Sequence, residues 1–168
     1  ICQNVDDQMQ LTQLARISSK KTVLIQGSGV DLSAYNSATS SGNIPVVLLA
    51  SRLLADKGVR EFVRAAGLVN ASALCARFIL VGDPDPPNPS TIQQQELDQW
   101  EKEGVVELWG YRNDMNHVLS SANIVVLPSY GEGFPKVLME ASASARVVIT
   151  TDVPGCRDVI EDGVTGLL

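Results

Sequence analysis

The chain has 168 residues, with 13 Lys and Arg against 19 Asp and Glu and a formal net charge of −6. That length suits one domain. The acidic balance, with 45% hydrophobic and 19% charged residues, excludes a disordered chain, a non-specific nucleic-acid binder and a polybasic membrane surface. No apolar run approaches the ~20 residues of a transmembrane helix; the longest, Ile44–Ala50, contains Pro45. Ile1–Asp7 carries neither the basic nor the apolar region of a signal peptide and no initiator Met, which reads as a fragment or a processed chain. Cys2, Cys75 and Cys156 are scattered, without metal-ligand spacing, and are expected as small buried apolar residues in a reducing, cytoplasmic setting.

In chain order, Lys21–Gln26 predicts a strand, followed by Gly27-Ser28-Gly29-Val30-Asp31 and a Ser/Asn-rich connector over Ser33–Asn43. From residue 44 strands and helices alternate. Strands are predicted at Val46–Ala50, Arg77–Val81, Val105–Trp109, Asn123–Leu127 and Arg146–Thr150, mostly as continuous apolar runs suited to a parallel sheet covered on both faces. Val59, Phe62, Val63, Ala66 and Val69 mark one helix face. Ser90-Thr91-Ile92-Gln93 has the pattern of a capping box opening a helix with Ile92, Leu97 and Trp100 inward. Met115, Val118, Leu119 and Ala122 give another stripe, and Pro135 opens a helix to about Ala145 with Leu138, Ala141 and Ala145 inward. Gly82–Pro89 is a Pro-rich loop. This order predicts an α/β fold, a doubly wound Rossmann-like parallel sheet with right-handed crossovers. Its ligand site is expected in loops 50–58, 82–89, 109–113, 128–135 and 150–155, outside the carboxyl ends of the strands.

Two of those loops carry chemistry. Arg52 and Lys57, with Gly58 ahead of a helix, place two cations beside a positive helix end, as an anion would require, although solvated loop cations are also common. The stretch Tyr130-Gly131-Glu132-Gly133-Phe134-Pro135-Lys136-Val137 turns through two glycines into a helix. Its amides at Gly133, Phe134, Lys136 and Val137 form a donor cluster, Pro135 having none to give. Glu132 and Glu140 bracket that cluster, an arrangement suited to a ligand with both hydroxyls and phosphates.

Arg52…Lys57-Gly58 followed by Glu132-Gly133-Phe134-Pro135…Glu140-Ala141 resembles the retaining, GT-B-fold glycosyltransferases of group 1, with their Glu-x7-Glu signature. Gly27–Asp31 is similar to the segment joining that family's two domains, Val81-Gly82-Asp83 to its glycine turn, Trp109-Gly110-Tyr111 to its base loop, and Thr150–Leu168 to the block after its signature helix. The resemblance covers residues 20–168. It implies one half of a GT-B enzyme: residues 1–43 would end a preceding domain and connect it, and 44–168 would be a donor-binding domain cut short at its C-terminal end.

The same resemblance implies transfer of a hexosyl unit from a nucleotide-diphosphate sugar, UDP- or GDP-linked, with retention and without a metal or other cofactor. Arg52, Lys57 and Glu132 would act in catalysis, the cations on the diphosphate and Glu132 on donor-sugar hydroxyls. Glu140 would take the ribose and the backbone of Gly110 and Tyr111 the base, with Gly82, Gly133, Phe134, Lys136 and Val137 completing the donor site. Lys136 stands at a variable position. Asp83-Pro84-Asp85 has the spacing of a metal-binding pair, but its prolines predict a turn.

The family's acceptor side lies in a preceding domain, so His117, in a helical pattern, is expected on the surface or in packing, and the fragment is expected to bind donor but transfer little. The acceptor would be a glycan or lipid-linked, as in bacterial surface-polysaccharide assembly. The enzyme would be cytoplasmic, peripheral at the inner membrane face through its other domain. The competing readings are a non-catalytic nucleotide-binding α/β module and a sugar-nucleotide epimerase or phosphorylase of related architecture; the first would not need Arg52, Lys57, Glu132 and Glu140 to converge.

Overall fold

The computed structural model describes residues 1–35 and 42–168; the rest of the Ser33–Asn43 connector lies outside the described residues. Val46–Ala50 is buried along its whole length, as a central strand of branched residues must be, and forms β1. It is flanked by β2 (Arg77–Val81) and β4 (Ile124–Leu127), with β3 (Glu107–Leu108) and β5 (Val147–Thr150) outside them, in the all-parallel order β3-β2-β1-β4-β5.

Alternate strand residues feed two cores. Val47, Leu49, Phe78 and Leu80 meet α2 (Val59–Asn70) and α3 (Gln94–Lys102) through Val59, Phe62, Val63 and Leu97. Leu48, Ile79, Val125 and Val148 meet α4 (Met115–Ser121) and α5 (Lys136–Ala143) through Val118, Leu119, Leu138 and Ala141. The doubly wound α/β sheet is therefore as expected. Its order reverses between β1 and β4, so the loops leaving those two strands flank the switch point where such sheets bind ligands.

Several local expectations fail for identifiable reasons. Lys21–Gln26 forms no strand: Leu24 makes one parallel bridge with Cys2, and Val23 and Ile25 on either side are exposed, with no core to bury them. At the sheet edge only Glu107 and Leu108 pair, because Val105 is used to close α3 through Val105 N–Trp100 O at 3.0 Å. The capping box is also wrong. Helix α3 starts at Gln94 behind Gln93, which makes no side-chain cap, while the Ser90 hydroxyl accepts from Asp56 N at 3.2 Å. Helix α5 stops at Ala143, and Ala145 is exposed at φ 54° rather than inward. Pro135 stands just before the helix, as its N-cap. Cys2 and Cys156 are buried, but Cys75 is exposed.

At the front of the chain, α1 (Val5–Leu14) begins behind Asn4, whose side chain accepts from Asp7 N at 2.7 Å. His117 is exposed on α4.

Candidate functional site

The loop after β1 is laced to the Pro-rich loop after β2. Leu53 N donates to Asp83 O at 2.9 Å, Ala55 N to Ser90 O at 2.7 Å and Ile92 N to Leu53 O at 2.9 Å. The loops come this close because Gly82 sits at φ 129°, where a Cβ would lie 1.9 Å from Ser51 O. The lacing sets Asp85 Oδ2 2.7 Å from Arg52 Nη1. Gly82 N also donates to Gly110 O at 2.8 Å, and Tyr111 N to Asp83 Oδ1 at 3.1 Å, which fixes the 109–111 backbone. Asp83 and Asp85 thus serve as separate acceptors, one for an amide and one for a guanidinium.

These loops and α5 enclose a cleft of about 430 Å³, lined among others by Arg52, Gly82, Asp85, Tyr111, Val137 and Glu140. Glu140 is 6% exposed. Its Oε1 accepts from Tyr35 Oη at 2.7 Å and from Lys136 Nζ at 3.1 Å. Burial, and then the adjacent carboxylate, push the Tyr35 phenol up to about 12. Among the described residues no side chain or amide hydrogen-bonds to the second oxygen of Glu140. At the mouth, Arg112 stacks 5.8 Å from the Trp109 ring centre and donates to Asp114, holding that carboxyl at about 2.

Lys57 and Glu132 face elsewhere. The short 3-10 turn Ala55–Lys57 carries Lys57 toward the loop after β4, held there by Tyr130 N–Asp56 O at 2.9 Å and Ser129 Oγ–Asp56 O at 3.1 Å. Lys57 Nζ donates to Glu132 Oε1 at 2.6 Å, and the two side chains are only 19% and 13% exposed. With Gly133, Asp7 and Gln10 they border a second depression of about 560 Å³. Arg52 lines the first depression and Lys57 the second, the turn at Ala55–Lys57 standing between them in the loop after β1.

Between the two lies the start of α5. No acceptor among the described residues takes the amides of Gly133, Phe134, Lys136 or Val137. The Phe134 ring turns aside onto Gly27, where an added Cβ would meet Cδ1 at 2.5 Å. Beneath the loop, the burial of Cys156 pushes its thiol up. Three contributors escaped the sequence reading, Tyr35, Arg112 and Asn4, while Asp85 entered it only as part of the Asp83-Pro84-Asp85 turn. Only Asn4 had a local signal, its N-cap spacing to Asp7. Among the described residues no group of three or more acidic, Cys or His side chains is placed to hold a metal ion, and no helix is long and apolar enough to cross a membrane.

Comparison with known proteins identifies this site's setting. The family described as Glycosyl transferases group 1 matches residues 44–168. The chain is 37% identical over 123 residues to the N,N'-diacetylbacillosaminyl-diphospho-undecaprenol alpha-1,3-N-acetylgalactosaminyltransferase of Campylobacter jejuni, covering 73% of this chain and 31% of that protein. It is 26% identical over 153 residues to the UDP-Gal:alpha-D-GlcNAc-diphosphoundecaprenol alpha-1,3-galactosyltransferase of Escherichia coli, covering 83% and 39%. The chain thus spans well under half of either relative. Its fold matches that of the Anabaena protein HepE, solved in complex with UDP and glucose, with a TM-score of 0.82 and 24% identity over 99% of this chain and 47% of that one. With a switch-point site, a family match across residues 44–168 and these relatives, the chain belongs to the group 1 glycosyltransferases.

Proposed function

We propose that the chain is the donor-binding half of a retaining glycosyltransferase that takes a hexosyl unit from a nucleotide-diphosphate sugar. One observation carries this reading: at the β1/β4 switch point, amides without acceptors lie between Arg52 and Glu140 on one side and Lys57 and Glu132 on the other. The ribose reaches the free oxygen of Glu140, and the base lies along Gly110 and Tyr111. The diphosphate meets the amides of Gly133, Phe134, Lys136 and Val137, with Arg52 and Lys57 adding charge that grows in value as the leaving group becomes more negative. Glu132 takes sugar hydroxyls. The Lys136 side chain acts only through its ion pair with Glu140.

To seat the diphosphate, Arg52 exchanges Asp85 for phosphate. The cations do the work that a metal does elsewhere, so no cofactor enters this proposal. Both relatives above are named for diphosphoundecaprenol-linked acceptors, and an acceptor of that lipid-linked class is part of this reading. Retention rests on the resemblance to the Glu-x7-Glu enzymes.

Calorimetric titration with UDP and GDP, each with and without a chelator, tests the reading. The expected result is binding of at least one nucleotide, equal in both conditions. A folded sample that binds neither overturns it, and binding abolished by the chelator overturns the metal-free part.

A further inference from the structure

The most enclosed polar side chain near the site belongs to no loop of the sheet. Asn4 is 0% exposed and lies 128 residues in sequence from the loop it touches. Its Nδ2 donates to Gly133 O at 2.8 Å and to Glu132 O at 3.3 Å, and its third acceptor is Asp7 Oδ2 at 2.9 Å. Its Oδ1 takes Asp7 N at 2.7 Å and so caps α1. One amide group thus fastens a helix start to two successive carbonyls of the signature loop. Gly155 also lies close to the same carbonyls: a Cβ there would lie 2.4 Å from Glu132 O and 2.8 Å from Gly133 O. Glu132 N is tied to Pro154 O at 3.4 Å.

The geometry points to a role for this clamp. In a trans peptide the carbonyl of one residue and the N–H of the next point in opposite directions, and the described residues contain no cis peptide. Holding the carbonyls of Glu132 and Gly133 toward Asn4 therefore aims the N–H groups of Gly133 and Phe134 away from it. Those are two of the amides left without an acceptor. We propose that Asn4 is a positioning residue: it sets the direction of the Gly133 and Phe134 amides and thereby the affinity for the donor's anionic group. The consequence for affinity rests on the reading of these amides as donor contacts. The orientation of the amides does not.

The distinction allows a clean test. Asn4→Asp and Asn4→Ser both keep an oxygen able to cap α1, while neither can donate to two carbonyls from the Asn4 position: the carboxylate has no proton to give and the serine side chain is too short. Amide order parameters from nitrogen-15 relaxation report the loop, unmoved strand resonances report folding, and UDP and uridine serve as probes. Gly133 and Phe134 are expected to fall from the rigid range near 0.85 toward the flexible range below about 0.6. UDP affinity is expected to drop about tenfold in both variants, as for loss of an oriented charge-assisted contact, with uridine affinity unchanged. Rigid Gly133 and Phe134 amides in both folded variants overturn the positioning role, whatever UDP does. Loosened amides with UDP affinity intact leave the clamp standing and overturn the donor contact it was said to serve.

Discussion

Arg52–Asp85 and Lys57–Glu132 close at similar lengths, 2.7 and 2.6 Å, in loops leaving the same end of the sheet, yet water reaches them very differently. The Arg52 side chain is 62% exposed, whereas Lys57 and Glu132 are 19% and 13% exposed beneath the N-terminal helix. An exposed pair gains about 0–1 kcal/mol from its attraction and exchanges partners readily. An enclosed pair is costly to break, because the survivor keeps its desolvation penalty without compensation. The first pair is thus suited to hand its cation to an arriving phosphate. The second is suited to hold the loop in shape before anything arrives. Net acidity and the proposed anion site are compatible on this basis: each cation is paired with a carboxylate of the chain itself.

Replacing the enclosed cation should have the largest effect. Lys57→Met is expected to lower unfolding stability by about 3 kcal/mol, at the low end of the range for broken buried pairs because some water reaches this one. Much of the loss should return in Lys57→Met/Glu132→Gln, which removes the stranded charge. Chemical denaturation of the single and double variants measures both; a single variant within about 0.5 kcal/mol of wild type would erase the contrast between the pairs.

At the open pair the expected effect falls on binding rather than on stability. Arg52→Ala should leave stability within about 0.5 kcal/mol but weaken UDP binding by about 2 kcal/mol, with a smaller loss for uridine. An equal loss for both ligands would remove Arg52 from the phosphate. Asp85→Asn frees the same guanidinium and deletes a negative charge beside it, so UDP should bind tighter by about 0.5–1 kcal/mol. Weaker binding in that variant would mean that Asp85 positions Arg52 rather than competing for it.

The parts of the molecule that were legible beforehand are those where the cause is local. β1, β2, β4 and β5 announce themselves as branched apolar runs because both of their faces are covered. Arg52, Glu132 and Glu140 could be assigned to strand-end loops and a helix start from spacing alone. What could not be read depends on distant partners. Ser90 has the local pattern of a helix cap, but Asp56, 34 residues away, takes its hydroxyl. Tyr35 reaches Glu140 across 105 residues and Arg52 reaches Asp85 across 33. The division of the site into two depressions follows from one short 3-10 turn at Ala55–Lys57, which no periodicity signals.

An effect of similar size concerns Tyr35, which is tied to Glu140, a residue of the cleft that Arg52 also lines. Its phenol ionises at about 12 in the fold, against an ordinary value of 10.0 when unfolded. The neutral form is therefore the one the fold prefers, and this contribution is complete below pH 10. As pH rises from 10 to 12 the unfolded chain loses the proton first, so the contribution drains away and is gone above the folded value. A shift of that size is discounted for partial exposure to about 1 kcal/mol. Denaturation midpoints of Tyr35→Phe and wild type, compared between pH 9 and 12, should therefore converge as pH rises. Parallel curves would mean that the Tyr35–Glu140 bond contributes nothing to the fold. Tyr35→Phe also leaves Lys136 as the polar partner of Oε1 of Glu140 among the described residues, so a ribonucleotide should gain slightly over its 2′-deoxy counterpart if the hydroxyl of Tyr35 had been competing for that carboxylate. An unchanged ratio would assign Tyr35 to stability alone.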